Sequence, residues 1–173
     1  MPLGLTGLET TTLALALVGT VTGVLALAVQ VALFSLSGSR VTVEALQARL
    51  GPGEAVTGGP AWEHNAENWP IKAVAVRARN RGRQAVDVTG WSVIEGKGIG
   101  LVETTRAPHN KPVPHRLEPG ASETWYLIWD DVAALVATSR TVFGTETRFV
   151  RGQVQLGTGR TIASSRRRSI RLS

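Results

Sequence analysis

The chain has 173 residues and no cysteine, which excludes disulfide bonds, thiolate zinc sites and cysteine nucleophiles. All 19 Lys and Arg residues lie at or after Arg40, with every acidic residue except Glu9, so this part carries a net charge of +7 (19 cations less 12 anions). It is long enough to bury a hydrophobic core without metal or disulfides.

The N-terminal part of the chain contains one long apolar stretch. No charged residue occurs between Thr10 and Ser39, and residues 13–36 are mostly Leu, Ala and Val. A helix rises about 1.5 Å per residue, so about 20 residues cross a hydrocarbon core of about 30 Å. We therefore predict a short flank over residues 1–12 and a transmembrane helix over residues 13–36. The alternatives are a buried globular helix and a cleaved signal, but a signal has a basic start and a shorter apolar run.

The residues that flank and line this helix predict its orientation and a contact face. The N-terminal side has no Lys or Arg, whereas Arg40 and Arg49 follow the apolar stretch. The positive-inside rule therefore predicts a single-pass protein of the cell membrane with its C-terminal domain in the cytoplasm. Gly19 and Gly23 are four residues apart, a spacing that lets two helix backbones approach closely and predicts a homodimer. The alternative is that glycine is simply frequent in membrane spans.

The rest of the chain predicts short strands separated by turns. Residues 51–70 are rich in Gly, Pro, Asn and Glu, which predicts a long loop. Asn80 and Gly82 predict a turn because both tolerate positive φ. Four prolines predict an irregular crossing over residues 107–119. The first predicted strand begins near Arg40, and the others cover residues 71–80, 85–94, 99–103, 122–129, 147–156 and 160–164.

Two further elements complete the predicted order. Asp130 or Asp131 is expected to cap a short helix that ends at Val136. Residues 166–173 are predicted to form a basic tail that frays. About seven short strands separated by turns are typical of an antiparallel β-sandwich, so we predict a mainly β domain over residues 40–165.

Two sequence blocks add a resemblance. In the first block, VRARNRGRQAVDVTGW, one strand ends in Asn-x-Gly and a Val-rich strand follows. In the second block, LEPGASETWYLI, a Leu-x-Pro-Gly turn precedes another strand. Between Ile71 and Trp129 the chain thus resembles the immunoglobulin-like modules of bacterial proteins. The whole layout is similar to small single-pass membrane proteins of actinobacteria and their phages. This resemblance implies a transmembrane helix followed by an immunoglobulin-like antiparallel β-sandwich, and it brings no catalytic residues.

No stretch of the sequence forms a catalytic or cofactor motif. His64 and Glu67 lie in a segment with few helix signals, and two prolines separate His109 from His115, so neither pair predicts a metal site. Gly96–Gly100 contains a lysine between glycines but lacks the Gly-Lys-Ser/Thr of a phosphate-binding loop. We therefore predict that the protein is not an enzyme and holds no cofactor or metal.

The candidate interaction residues are arginines and tryptophans. Arg77 and Arg79 share the solvent face of a predicted strand, where they would meet acidic partners or lipid headgroups, or simply block edge aggregation. Trp125 and Trp129 are predicted on one strand face, either in the core or on an aromatic binding surface. A basic cluster expected to attract anionic lipid headgroups consists of Arg166, Arg167, Arg168 and Arg171. Nucleic acid is not the expected partner, because this cluster has no interleaved aromatic residues.

Together these features predict a non-enzymatic, membrane-tethered module that binds a protein partner. The alternative is a structural subunit of a membrane-associated assembly, of a phage or secretion type. Both place the helix in the lipid bilayer, and they differ in whether the β domain binds a partner or only builds the assembly.

Overall fold

A computed structural model describes residues 7–59, 61–63, 66–95, 98–102, 109–144 and 149–172 of the chain. The chain divides into two compact units, Met1–Gly38 and Ser39–Ser173. The first contains one helix, and the second is built mostly from strands.

The described part of the first unit is built from one long helix, α1 (Gly7–Ser37). Its segment Thr10–Leu33 has 24 residues, a mean hydropathy of 2.2 and no buried residue. At about 1.5 Å per residue this segment extends about 36 Å, so α1 is a candidate membrane span, as predicted. The helix extends beyond the predicted residues 13–36 at both ends, because a helical backbone does not require apolar side chains.

The second unit contains ten strands, one α-helix and two 3-10 turns among its described residues. The strands are β1 (Val41–Leu50), β2 (Ala55–Thr57), β3 (Ile71–Asn80), β4 (Val86–Ile94), β5 (Gly100–Leu101), β6 (His115–Leu117), β7 (Ser122–Ile128), β8 (Phe149–Leu156), β9 (Thr161–Ala163) and β10 (Ile170–Arg171). The helix α2 (Trp129–Phe143) separates β7 from β8, and the 3-10 turns cover Ala61–Glu63 and Arg166–Arg168.

The strands form two antiparallel sheets. The first has the order β2-β1-β3-β7, and the second has the order β10-β8-β4-β5, with β6 also beside β4 and β9 also beside β8. The strand β2 pairs with only Ala48–Leu50, whereas β3 pairs with all of β1. The first part of β1 therefore has a strand partner on one side only among the described residues.

Side chains from both sheets pack in one hydrophobic core. On β3, Val74, Val76 and Ala78 face this core, on the side of the strand opposite to the predicted solvent face of Arg77 and Arg79. The second sheet contributes Val88 and Val154, which are fully buried. Complete burial of one valine side chain stabilises a fold by about 1.5–3 kcal/mol. This shared core holds the two sheets face to face.

Arg49 anchors the segment between β1 and β3, which is predicted to be a long loop. Its Nε and Nη2 donate to the Trp62 carbonyl oxygen at 3.1 and 2.9 Å, and its Nη1 donates to the Trp69 carbonyl oxygen at 2.9 Å. The indole of Trp62 donates to the Ala73 carbonyl oxygen at 3.0 Å, and its ring centroid lies 4.4 Å from that of Trp129. The segment is therefore packed against the domain, and it contains β2 and a 3-10 turn.

The helix α2 is longer than predicted and begins differently. Its N-cap residue is Ile128, without a side-chain cap, so Asp130 and Asp131 lie in the first turn rather than at the cap. They still favour the helix there, because carboxylates complement the positive end of the helix dipole. The helix continues past Val136 to Phe143, and its C-cap residue Gly144 has φ 61° and donates its N–H to the Arg140 carbonyl oxygen at 3.0 Å.

The C-terminal segment belongs to the fold and is not a frayed tail. Ile170 is only 5% exposed, because it pairs with Val150 of β8 and its side chain joins the core. Four arginines around one isoleucine dominate the local composition, which explains the wrong prediction. The predicted irregular crossing likewise contains β6, whose Leu117 is buried opposite Val86.

Gly152 of β8 lies at a close approach between the two sheets. A Cβ atom there would be 2.8 Å from Val76 Cγ1 and 3.4 Å from the Glu44 carbonyl oxygen. Because Val76 is fully buried, it has little room to move. We expect Gly152→Ala to lower the free energy of unfolding by about 1–3 kcal/mol, as measured by urea unfolding, because it overpacks the core.

Gly90→Ala is the matched control for this substitution. Gly90 also lies in a strand, but a Cβ there would meet Gln155 at an ordinary distance of 3.5 Å. We expect its effect to stay within about 0.5 kcal/mol. Equal stabilities of the two variants would contradict the close approach at Gly152.

Candidate functional site

The predicted arginine pair lies on the outer face of the first sheet. Arg77 is half-buried and donates from Nη2 to the Thr57 hydroxyl at 2.9 Å, so its guanidinium links β3 to β2. In the sheet register it lies opposite Glu44 of β1. Arg79 is exposed and lies opposite Thr42. Arg77 therefore has a partner within the sheet, and Arg79 is a surface residue.

The two predicted tryptophans do not share a strand face. Trp125 is fully buried, and its indole donates to the Lys111 carbonyl oxygen at 3.1 Å while its ring stacks on Trp91 at 6.4 Å between centroids. Trp129 is the first residue of α2 and packs against Trp62. Because the strand ends at Ile128, the alternation expected to align the two rings stops before the second one. Both tryptophans contribute to packing.

The basic cluster is held on the edge of the second sheet. Both β9 and β10 pair with β8, and the 3-10 turn Arg166–Arg168 interrupts them. The Ser169 hydroxyl donates to the Arg166 carbonyl oxygen at 2.5 Å, and the Arg168 N–H donates to the Ser165 carbonyl oxygen at 2.9 Å. These bonds, with the buried Ile170, fix the segment, while the side chains of Arg166, Arg167 and Arg171 are exposed.

This fixed segment forms one wall of a groove, which we name the arginine groove. The other wall is Glu44–Gln47 of β1, and Gly59 also lines the groove. The wall beside the second sheet consists of Arg167–Arg171, and the groove has a volume of about 410 Å³. This volume lies within the range of ligand-binding clefts, but the walls are charged and the groove opens to solvent.

The charges of the arginine groove are unbalanced. Arg168 Nη1 lies 3.4 Å from Glu44 Oε1, and both side chains are partly exposed, so this ion pair stabilises the fold by at most about 1 kcal/mol. Among the described residues no carboxylate lies within 4.0 Å of the guanidinium of Arg167 or Arg171. The groove therefore carries a net charge of +2 (three arginines less one glutamate).

Alternate residues at the start of β1 direct their backbone groups away from β3, although Val43 and Ala45 are only 3% and 4% exposed. The Gln47 carbonyl oxygen accepts from the Gly58 N–H at 3.0 Å, on the side of β1 away from β3. In an antiparallel strand alternate residues direct their N–H and C=O groups to the same side. Val43 and Ala45 therefore direct theirs away from β3 as well, at a point that β2 does not reach.

A second polar group lies beside β7. Lys111 Nζ is 2.7 Å and His115 Nε2 is 3.3 Å from Glu123 Oε2, so one carboxylate joins the crossing before β7 to that strand. Burial raises the pKa of the Tyr126 hydroxyl, and the nearby Arg77 acts in the opposite direction. No group of three metal-binding side chains occurs within the part of the chain that the structure describes.

Only one of the two walls of the arginine groove can be predicted from the sequence. The arginines are visible as a cluster, whereas Glu44–Gln47 become a wall only because β2 pairs with no more than Ala48–Leu50 of β1. No local pattern indicates which strand of a sheet lies at its edge. No protein-family model and no curated protein sequence matches this chain.

Proposed function

We propose that this protein is a non-enzymatic module, tethered to the membrane by α1, whose strand-rich unit binds a protein partner. The observation that carries the proposal is an apolar helix with no buried residue in its segment Thr10–Leu33, joined to a separate compact unit that bears an open, charged groove. An apolar surface of this extent is unfavourable in water. A bilayer covers it, and the groove of the second unit remains in solvent.

We further infer an immunoglobulin-like architecture for the second unit. In that fold strands A, B and E share one sheet, and strands C, F and G share the other. Here β1, β3 and β7 are neighbours in one sheet, and β8 lies between β4 and the two short strands β9 and β10 in the other. Assigning these elements to A, B, E, F, C and G supports the inference. The helix α2 and the added strand β6 are departures from the pattern.

The charges on either side of α1 support a cytoplasmic position for this unit. Arg40 and Arg49 follow the helix, and no Lys or Arg precedes it. In that position the exposed arginines would also meet the anionic leaflet, with about 1 kcal/mol of attraction each near the surface. Labelling of Ser173→Cys by a membrane-impermeant maleimide in intact cells would contradict this orientation, and the absence of native cysteine makes the readout specific.

The proposed function is tested by extracting the full chain from membranes in mild detergent. We expect the protein in the membrane fraction, purified as a homodimer, with no fixed set of other subunits. A stoichiometric complex of several subunits would favour the alternative, a structural component of a membrane assembly. Recovery in the aqueous fraction after alkaline washing would contradict the membrane tether itself.

The expected homodimer depends on the face of α1 that contains Gly19 and Gly23. A Cβ atom at either position would meet nothing within 4 Å in the single chain, so both are open to a second helix. We expect Gly19→Leu with Gly23→Leu to convert the dimer to a monomer in detergent, because the leucines prevent close backbone approach. Val21→Leu, on the opposite side of the helix, is the control and should leave the dimer intact.

A further inference from the structure

We propose that the end of the second unit at which β1 begins binds a layer of anionic lipid headgroups. The surface that makes this contact, which we name the basic end, consists of four exposed arginines: Arg40, Arg79, Arg81 and Arg83. The inference rests on the membrane tether of the proposed function and names the arginines that meet the bilayer. It assigns this contact to a surface other than the arginine groove.

Covalent geometry keeps the basic end close to the membrane. Arg40 is the first charged residue after Glu9, and only Gly38 and Ser39 separate it from Ser37, the last residue of α1. Three Cα–Cα steps of about 3.8 Å extend at most about 11 Å. A helix α1 that crosses a bilayer therefore brings Arg40 within reach of the headgroups.

Strand register and one hydrogen bond bring the other three arginines beside Arg40. Arg79 lies opposite Thr42 in the pairing of β3 with β1. Arg81 follows β3, and its N–H donates to the Arg40 carbonyl oxygen at 2.7 Å. Arg83 lies two residues further along the same turn. All four arginines therefore lie at one end of the first sheet.

A buried side chain holds the turn that carries Arg81 and Arg83. Asn80 Oδ1 accepts from the Gly82 N–H at 2.9 Å, and Asn80 Nδ2 donates to the Gln84 carbonyl oxygen at 2.7 Å. The backbone that presents the two exposed arginines is thus already ordered. Binding of headgroups has to order only the arginine side chains, which lowers its entropic cost.

The last three arginines of the basic end have no acidic partner among the described residues, since no ion pair joins them to a carboxylate. The carboxylates of the adjoining elements lie beside other cations. Glu118 Oε1 is 3.0 Å from Arg116 Nε, and Asp87 also lies opposite Arg116. Glu123 Oε2 is 2.7 Å from Lys111 Nζ. Headgroup phosphates would supply the missing anions, because a guanidinium binds phosphate through two parallel hydrogen bonds.

Exposed carboxylates lie at the opposite end of the first sheet. Asp130 and Asp131 follow β7, whose last residue pairs near the start of β3, and Glu54 follows the end of β1. At about 3.3 Å per residue, the ten residues of β3 separate the two ends by about 30 Å. Charges in water are screened over about 8–10 Å, so headgroups that bind the basic end would not repel these carboxylates.

The test places a fluorophore at either end of this unit in the full chain, reconstituted in nanodiscs. Because the chain has no cysteine, Gln84→Cys labels the turn of the basic end, and Pro52→Cys labels an exposed control site at the opposite end. The discs contain phosphatidylcholine and a headgroup quencher, with or without phosphatidylserine. Phosphatidylserine should increase quenching at Gln84→Cys by at least about twofold and leave Pro52→Cys unchanged. Added salt should reverse the increase, because exposed charges are screened.

Variants show which arginines make the contact. The test variant carries three substitutions in the basic end: Arg79→Glu, Arg81→Glu and Arg83→Glu. The control carries the same charge change in the C-terminal cluster: Arg166→Glu, Arg167→Glu and Arg171→Glu. The test variant should lose the response to phosphatidylserine, and the control should keep most of it. Lysine at the three test positions should restore the response, and the urea midpoint of every variant should match that of the parent, because all the replaced side chains are exposed.

Three results would overturn the inference. They are equal quenching with and without phosphatidylserine, equal responses at the two labelled sites, and a loss in the control variant as large as that in the test variant. The last result would assign the lipid contact to the C-terminal cluster. A chain that stays in the membrane fraction without responding to phosphatidylserine would leave the proposed tether intact, so the two failures are distinguishable.

Discussion

Replacing Arg49 by methionine is expected to lower the free energy of unfolding by about 2–4 kcal/mol. The side chain is only 7% exposed, and its three donated bonds all end on the backbone carbonyls of Trp62 and Trp69. Methionine fills a similar volume and removes a buried charge, which recovers part of the loss. It leaves two partly buried carbonyl oxygens without their donors, and that cost is larger.

The region of the protein that loses stability in Arg49→Met also tests the role of Arg49. Because Arg49 is the link between β1 and the segment before β3, amide hydrogens near Ala61–Glu63 should lose protection from exchange before those of the core strands. Arg79→Met is the matched control, since Arg79 is exposed on the same sheet, and its effect should stay within about 0.5 kcal/mol. Unchanged exchange near Ala61–Glu63 in Arg49→Met would refute the anchoring role.

Asn80→Ala is expected to have an effect of similar size, about 3 kcal/mol. Asn80 is fully buried, and its Nδ2 donates to the carbonyl oxygens of Gln84 at 2.7 Å and Leu117 at 3.1 Å. Its Oδ1 accepts from the Gly82 N–H at 2.9 Å. One side chain thus joins the end of β3, the turn before β4 and the strand β6. Alanine would leave three backbone groups unpaired in a buried position.

Urea unfolding of the purified full chain, followed by tryptophan fluorescence, measures this effect. Asn68→Ala is the control, because Asn68 is exposed and should tolerate the same truncation within about 0.5 kcal/mol. A loss below about 1 kcal/mol in Asn80→Ala would mean that water replaces the amide at this junction, contrary to its complete burial.

Asn80 also shows which parts of the fold a sequence can predict. The turn after β3 is predicted correctly, and the bounds of β3 match the predicted strand, because period-two alternation and turn residues are local signals. The predicted reason was wrong, however. Neither Asn80 nor Gly82 has positive φ, and the turn is held by side-chain hydrogen bonds instead.

Elements that depend on partners far away in the chain cannot be predicted from the sequence. The strand β6 has three residues and exists because Leu117 pairs with Val86, and β10 exists because Ile170 pairs with Val150. The arginine groove has the same origin, since one wall comes from the start of the domain and the other from its end. The composition predicted the charge of the groove, and only the order of the strands supplied its shape.

The 3-10 turn at Arg166–Arg168 affects how one copy of the protein can pair with another through a sheet edge. It divides the last edge of the second sheet into β9 and β10, which have three and two residues. Pieces this short, separated by three cations, give a neighbouring molecule no continuous row of backbone groups to pair with. At high local concentration, this interruption would keep a second copy from pairing along this edge of the second sheet.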